Sequence, residues 1–178
     1  SERPAMESTT DIDLALMNLR AVTGLTLAAH GWNKFFGGGR IPGTGRWFDS
    51  IGMRPGRLNA ILAASSELGA GVLLALGLLN PLAAAGVIGV MVVAFWTTHR
   101  SNGFFIIKEG YEYVFILAVM ALVSATLGPG AWSLDEAFGI AGDLDGWTGF
   151  WIAVLLGVGG GVLQMLVFFR PSKVAAGG

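Results

Sequence analysis

Five stretches of this chain, residues 14–35, 58–79, 82–98, 111–127 and 149–169, are apolar and close to the length that crosses a lipid bilayer. A bilayer core about 30 Å thick takes roughly 20 such residues as a helix, because lipid offers no partner to a free backbone N–H or C=O. The pattern predicts an all-α fold, an integral membrane helical bundle. Composition agrees: 13% of residues are charged and 53% hydrophobic, against about 25% charged in a soluble domain. Most of the surface must therefore face something other than water.

The connections set the expected topology. Asn80-Pro81 separates the second and third spans, and proline cannot continue a helix, so these two form a tight antiparallel hairpin. Lys34, Arg40, Arg46, Arg54, Arg57, Arg100, Lys108, Arg170 and Lys173 fall on one side of such a bundle. Glu2, Glu7, Asp11, Asp13, Asp135, Glu136, Asp143 and Asp145 fall on the other. Basic loops stay in the cytoplasm, which predicts an outside N-terminus and a cytoplasmic C-terminus. The polar, acidic residues 1–13 lack the basic start of a cleavable signal, so the first span is expected to remain in the membrane. Residues 36–55, rich in glycine and aromatics, are expected to lie at the interface as a re-entrant or surface segment. Ser133 followed by Glu136 fits a capping box opening a short amphipathic helix at 133–140.

Several chemistries are excluded. The net charge is −1, which does not suit a nucleic-acid partner. With no cysteine, the chain supplies no disulfide, thiolate metal site or catalytic thiol; redox chemistry would need a partner or an organic cofactor. No metal-ligating set and no nucleotide, zinc-protease or serine-hydrolase motif occurs. The 28 glycines suit close helix packing in lipid. Gly157 with Gly161, Ser65 with Gly69, and the run from Ala83 to Gly86 mark contact faces, and the fifth helix is the face expected to meet another subunit.

Ionisable groups inside spans each need a partner or a purpose, since one at the helix centre costs about 2.5–3.5 kcal/mol to insert. Arg20, His30, Lys34, Glu67, His99 and Glu112 are the candidates. Counting along the helices puts Glu67 near the midplane and Arg20 nearer the acidic face, within reach of each other or with Arg20 snorkelling outward. His30, Lys34, His99 and Glu112 fall toward the basic ends of their helices and would converge in one pocket. Two histidines on different helices also fit haem ligation, but poorly, since ligands are expected deeper than His99.

The ordered set Leu19-Arg20-Ala21-Val22-Thr23-Gly24, His30-Gly31-Trp32-Asn33-Lys34-Phe35-Phe36-Gly37, Gly52-Met53, Glu67 with Gly69, Leu76-Gly77-Leu78, His99 with Gly103-Phe104, Gly110-Tyr111-Glu112-Tyr113, Gly128-Pro129-Gly130 and Ser133-Leu134-Asp135 resembles the DoxX family of small bacterial membrane proteins. The resemblance covers residues 14–140. It implies a four-helix core, to which residues 141–178 add a fifth C-terminal transmembrane helix, and a place in the cytoplasmic membrane. The family is similar to the small membrane subunit of thiosulfate:quinone oxidoreductase, which implies a redox assembly, quinone- or thiol/sulfur-linked, with quinone as the candidate cofactor. Carried over by position, it singles out Arg20, His30, Gly31, Lys34, Glu67, His99, Gly103 and Glu112. The competing readings are a non-catalytic anchor of a larger complex and, less favoured, a proton-coupled transporter using Glu67 or a b-type haem protein.

Overall fold

The computed structural model of the protein describes residues 5–171, with side chains from residue 10; Glu2, Arg3, Glu7 and Lys173 lie outside the described side chains. The chain is a bundle of α-helices: α1 (Ala5–Phe36), α2 (Arg40–Ser50), α3 (Gly56–Leu76), α4 (Asn80–Ala94), α5 (Glu112–Leu127), α6 (Leu134–Ala137), α7 (Ala141–Leu144) and α8 (Gly146–Phe168). Four helical stretches, Thr10–Phe36, Gly56–Leu76, Asn80–Asn102 and Gly146–Phe168, are long and apolar enough to cross a membrane, and α5 is a shorter apolar helix between them. This is a multi-pass membrane protein, with the fifth apolar helix of the sequence at its C-terminal end.

α1 packs along α3, and α4 lies between α3, α5 and α8. Small residues set both approaches. A Cβ on Gly71 would stand 2.5 Å from the Ala28 amide nitrogen and the Gly24 carbonyl, and one on Gly31 would stand 2.5 Å from the Leu68 nitrogen. Gly157 faces Ile88 and the Ala85 carbonyl, and Gly161 faces the Gly89 carbonyl and Val92. The Gly157–Gly161 pair is therefore used within the chain, against α4. Of the Ser65–Gly69 pair, Gly69 looks into open space.

At the acidic end, α3 closes in a Schellman turn. Gly77 takes φ +63°, its N–H reaches the Leu74 carbonyl at 3.0 Å, and the Leu78 N–H reaches Leu73 at 2.9 Å. The Asp135 carboxylate then accepts the Leu79 and Asn80 N–H groups at 2.7 and 2.8 Å, capping the start of α4 from across the fold. Ser133 caps α6, accepting the Glu136 N–H at 3.1 Å. That helix is a single turn, because Gly139 at φ +72° ends it.

At the basic end, residues 36–55, expected as a re-entrant or surface segment, are largely helical. Eleven of these residues form α2, and the chain turns out of α1 into it with Gly38 and Arg40 at positive φ. Gly45 lets α2 approach the backbone of Arg57, and the Asp49 carboxylate accepts the Gly56 N–H at 2.8 Å, so the helix is bound to the start of α3 with Phe48 turned inward. The end of α8 is stitched to the same region: the Arg54 N–H donates to the Phe168 carbonyl at 2.9 Å and the Arg170 N–H to Gly52 at 2.6 Å.

Gly71→Ala is expected to lower the thermal midpoint of the detergent-solubilised protein, by the equivalent of about 1–3 kcal/mol, because the new methyl group meets backbone rather than a yielding side chain. Gly69→Ala should leave the midpoint unchanged or raise it slightly, as alanine favours the helix. Equal losses at both positions would contradict this account of the α1–α3 contact.

Candidate functional site

Toward the basic end the helices enclose a cavity of about 370 Å³. Its wall is mostly apolar, with Leu27, Phe48, Val90, Met91 and Val114 among the lining residues. Into this wall are set His30 and Lys34 from α1, Glu67 from α3, His99 from the end of the α4 span, and Tyr113 from α5.

The polar groups are tied in pairs across helices. Lys34 Nζ meets Glu67 Oε2 at 2.5 Å, joining α1 to α3. This contact follows from the glycine-mediated approach of those helices, since Gly31 lies one turn before Lys34 and packs on Leu68, next to Glu67. The Tyr113 hydroxyl and His30 Nε2 are 3.0 Å apart, joining α1 to α5. His99 Nδ1 lies 2.6 Å from the Glu109 carbonyl oxygen. A carbonyl only accepts, so Nδ1 carries the hydrogen and Nε2 is the nitrogen left for a ligand.

Four of the six candidates, His30, Lys34, Glu67 and His99, thus line one cavity. Glu112 lies near it but is engaged elsewhere: its carboxylate accepts the Ile106 N–H at 3.0 Å. One residue along a helix turns a side chain by about 100°, which is why Tyr113 is on the cavity wall and Glu112 is not.

Arg20 is at the other end of the bundle, 1% exposed. Its Nε donates to the Pro129 carbonyl and Nη1 to Ala75, each at 2.8 Å, and Nη2 donates to Trp132. Arg20 neither meets Glu67 nor snorkels outward. Ala75 is eight residues beyond Glu67 on α3, about 12 Å along the axis, and the three carbonyls give each guanidinium nitrogen a partner where it stands.

Other lining residues carried no signal of burial cost in the sequence. Thr97, Thr98 and His99, three consecutive residues, share the wall because residues 95–99 form a π-helical turn rather than continuing α4. Such wide turns occur often at functional sites. The run Phe95-Trp96-Thr97-Thr98 is bulky and β-branched, which weakens the α preference there. Gln164 brings α8 to the cavity and donates to Asn59 Oδ1 at 3.3 Å.

Chemically, the site offers an ammonium and a phenol as hydrogen-bond donors, a carboxylate and the His99 Nε2 as acceptors, and the His30 imidazole, beside apolar surface. The family model DoxX matches residues 15–100. The chain carries a DoxX domain. The matched residues run from α1 through the π-helical turn, and so include His30, Lys34, Glu67 and His99. Tyr113 on α5 and Gln164 on α8 are supplied from beyond the matched DoxX segment. Comparison with curated proteins and with solved structures returns no match.

Removing one member of the Lys34–Glu67 pair leaves an uncompensated charge in low dielectric, at a cost of about 3–5 kcal/mol. Lys34→Met and Glu67→Leu should each lower the thermal midpoint in detergent strongly. The double variant should lose clearly less than the sum of the two. Additive losses would show that the pair is not an energetic unit.

Proposed function

We propose that the protein is a DoxX-type subunit of a redox assembly in the bacterial cytoplasmic membrane, and that it lodges a quinone ring in the cavity beside Lys34 and Glu67. The observation that carries this reading is the set of donors in an otherwise apolar wall. A quinone presents a flat apolar ring with two carbonyl oxygens, and needs apolar contact together with N–H or O–H donors. Lys34 and Tyr113 can donate to a quinone oxygen. Glu67 and the histidines can exchange the protons that accompany reduction, and the electrons come from a partner protein. With the basic ends of the helices in the cytoplasm, as the loop charges favour, the N-terminus is outside, the C-terminus inside, and the cavity in the inner leaflet. The partner is proposed to meet α8 on the side away from the bundle, where Gly159 and Gly160 lie open. A thiol- or sulfur-linked donor suits this arrangement as well as any other electron source.

A second reading, a non-catalytic anchor, is favoured by the same pairs: Lys34–Glu67 and His30–Tyr113 each join two spans.

Binding of a short-chain ubiquinone analogue to the purified protein in lipid nanodiscs separates the two. Tyr113→Phe and His30→Phe should each weaken binding about tenfold, the effect of one hydrogen bond worth about 1–1.5 kcal/mol, and slow quinone reduction in membranes that contain the redox partner. Unchanged affinity and turnover in both variants would overturn the quinone reading and leave the anchor.

A further inference from the structure

The loop between the π-helical turn and α5 carries four consecutive apolar residues, Phe104, Phe105, Ile106 and Ile107, and all four are exposed, Phe105 at 64% and Ile107 at 89%. The loop is nonetheless tightly built. The Tyr111 N–H donates to the Gly103 carbonyl at 3.0 Å, the Glu112 N–H to Phe104 at 2.8 Å and the Gly110 N–H to Phe105 at 3.1 Å. The Glu112 carboxylate accepts the Ile106 N–H. Gly103 takes φ +79°, and a Cβ on Gly110 would collide with the Gly103 carbonyl, so both turns of the knob depend on glycine. These backbone bonds close the loop on itself, and the four apolar side chains are exposed.

The height of this knob decides what covers it. α5 has 16 residues, about 24 Å, roughly 6 Å short of a hydrocarbon core about 30 Å thick. Its antiparallel neighbour, Asn80–Asn102, has 23 residues, about 34 Å. The Tyr111 ring at the start of α5 packs against Phe95 at 5.2 Å and against Phe104 at 5.5 Å between centroids. The knob therefore stands on the short helix, level with the last turns of the longer one. There Arg100 lies 4.1 Å over the Trp96 ring, and Lys108 follows the apolar tip. Cations and aromatics in this arrangement mark the lipid–water boundary.

We propose that residues 103–110 form an interfacial anchor whose Phe104–Ile107 tip is seated in the acyl–headgroup boundary of the leaflet at the basic end, completing the crossing that α5 is too short to make. The occupant is the bilayer itself, not a second copy of the chain. The Glu109 carbonyl that holds His99 Nδ1 belongs to this anchor, so the bilayer also fixes the histidine on the cavity wall.

The absence of native cysteine makes the test direct. Nitroxide labels are placed on Phe105→Cys, Ile107→Cys and, as an exposed control at the acidic end, Glu136→Cys, in the full chain in nanodiscs of phosphatidylcholine and phosphatidylglycerol. The ratio of oxygen to nickel-chelate accessibility should be several-fold higher at 105 and 107 than at 136. A ratio at both positions equal to that at 136 would place the loop in water and overturn the proposal. Labels at both positions shielded from both reagents, with spin–spin broadening, would show a contact between copies and overturn it equally. Neither result bears on quinone binding.

Discussion

Everything at the basic end follows from how closely α1 and α3 approach. Gly24 and Gly71 present their backbones to each other's helix, and Gly31 does the same one and a half turns before the end of α1. Without side chains at these points, dispersion contacts form between main chains, which is how helices bind each other where lipid removes the hydrophobic drive. The approach brings Lys34 onto Glu67. It also fixes His30 where Tyr113 of α5 can reach it.

The two ends of the bundle use polar groups in opposite ways. At the acidic end the buried polar groups are engaged in structure. Arg20 is held by three carbonyls, Asp135 caps α4, and Asn80 exchanges hydrogen bonds with Ser124 on α5. At the basic end the polar groups border a cavity, and their pairing leaves capacity unused: Lys34 has three N–H donors and one ion-pair partner. This contrast, more than the bare presence of ionisable residues in the spans, is what points to the cavity.

The fold was legible because membrane burial leaves a coarse signature: apolar length, Asn80-Pro81 at a turn, and the Ser133 cap are each visible within a few residues of sequence. The site was legible in part. Insertion cost marks residue types, so His30, Lys34, Glu67 and His99 stood out, and so did Arg20 and Glu112, which do other work. Depth counting misjudged Arg20, because the carbonyls of Ala75, Pro129 and Trp132 that satisfy it come from two distant segments. Tyr113 was visible only as part of the run Gly110-Tyr111-Glu112-Tyr113 and was not counted among the candidates, since amphipathic side chains are ordinary near helix ends.

Hydropathy and the placement of lysine and arginine therefore determine, from the chain alone, that this protein spans a membrane as a helical bundle with one basic and one acidic end, because both are properties of short windows of residues. Which glycines meet which backbone, that α2 forms and folds onto α3, that α4 widens into a π turn, and that Gly157 and Gly161 serve α4 were decided only when the helices packed. Those outcomes depend on the rotation of each helix about its axis, and that angle is set by contacts between segments far apart in sequence.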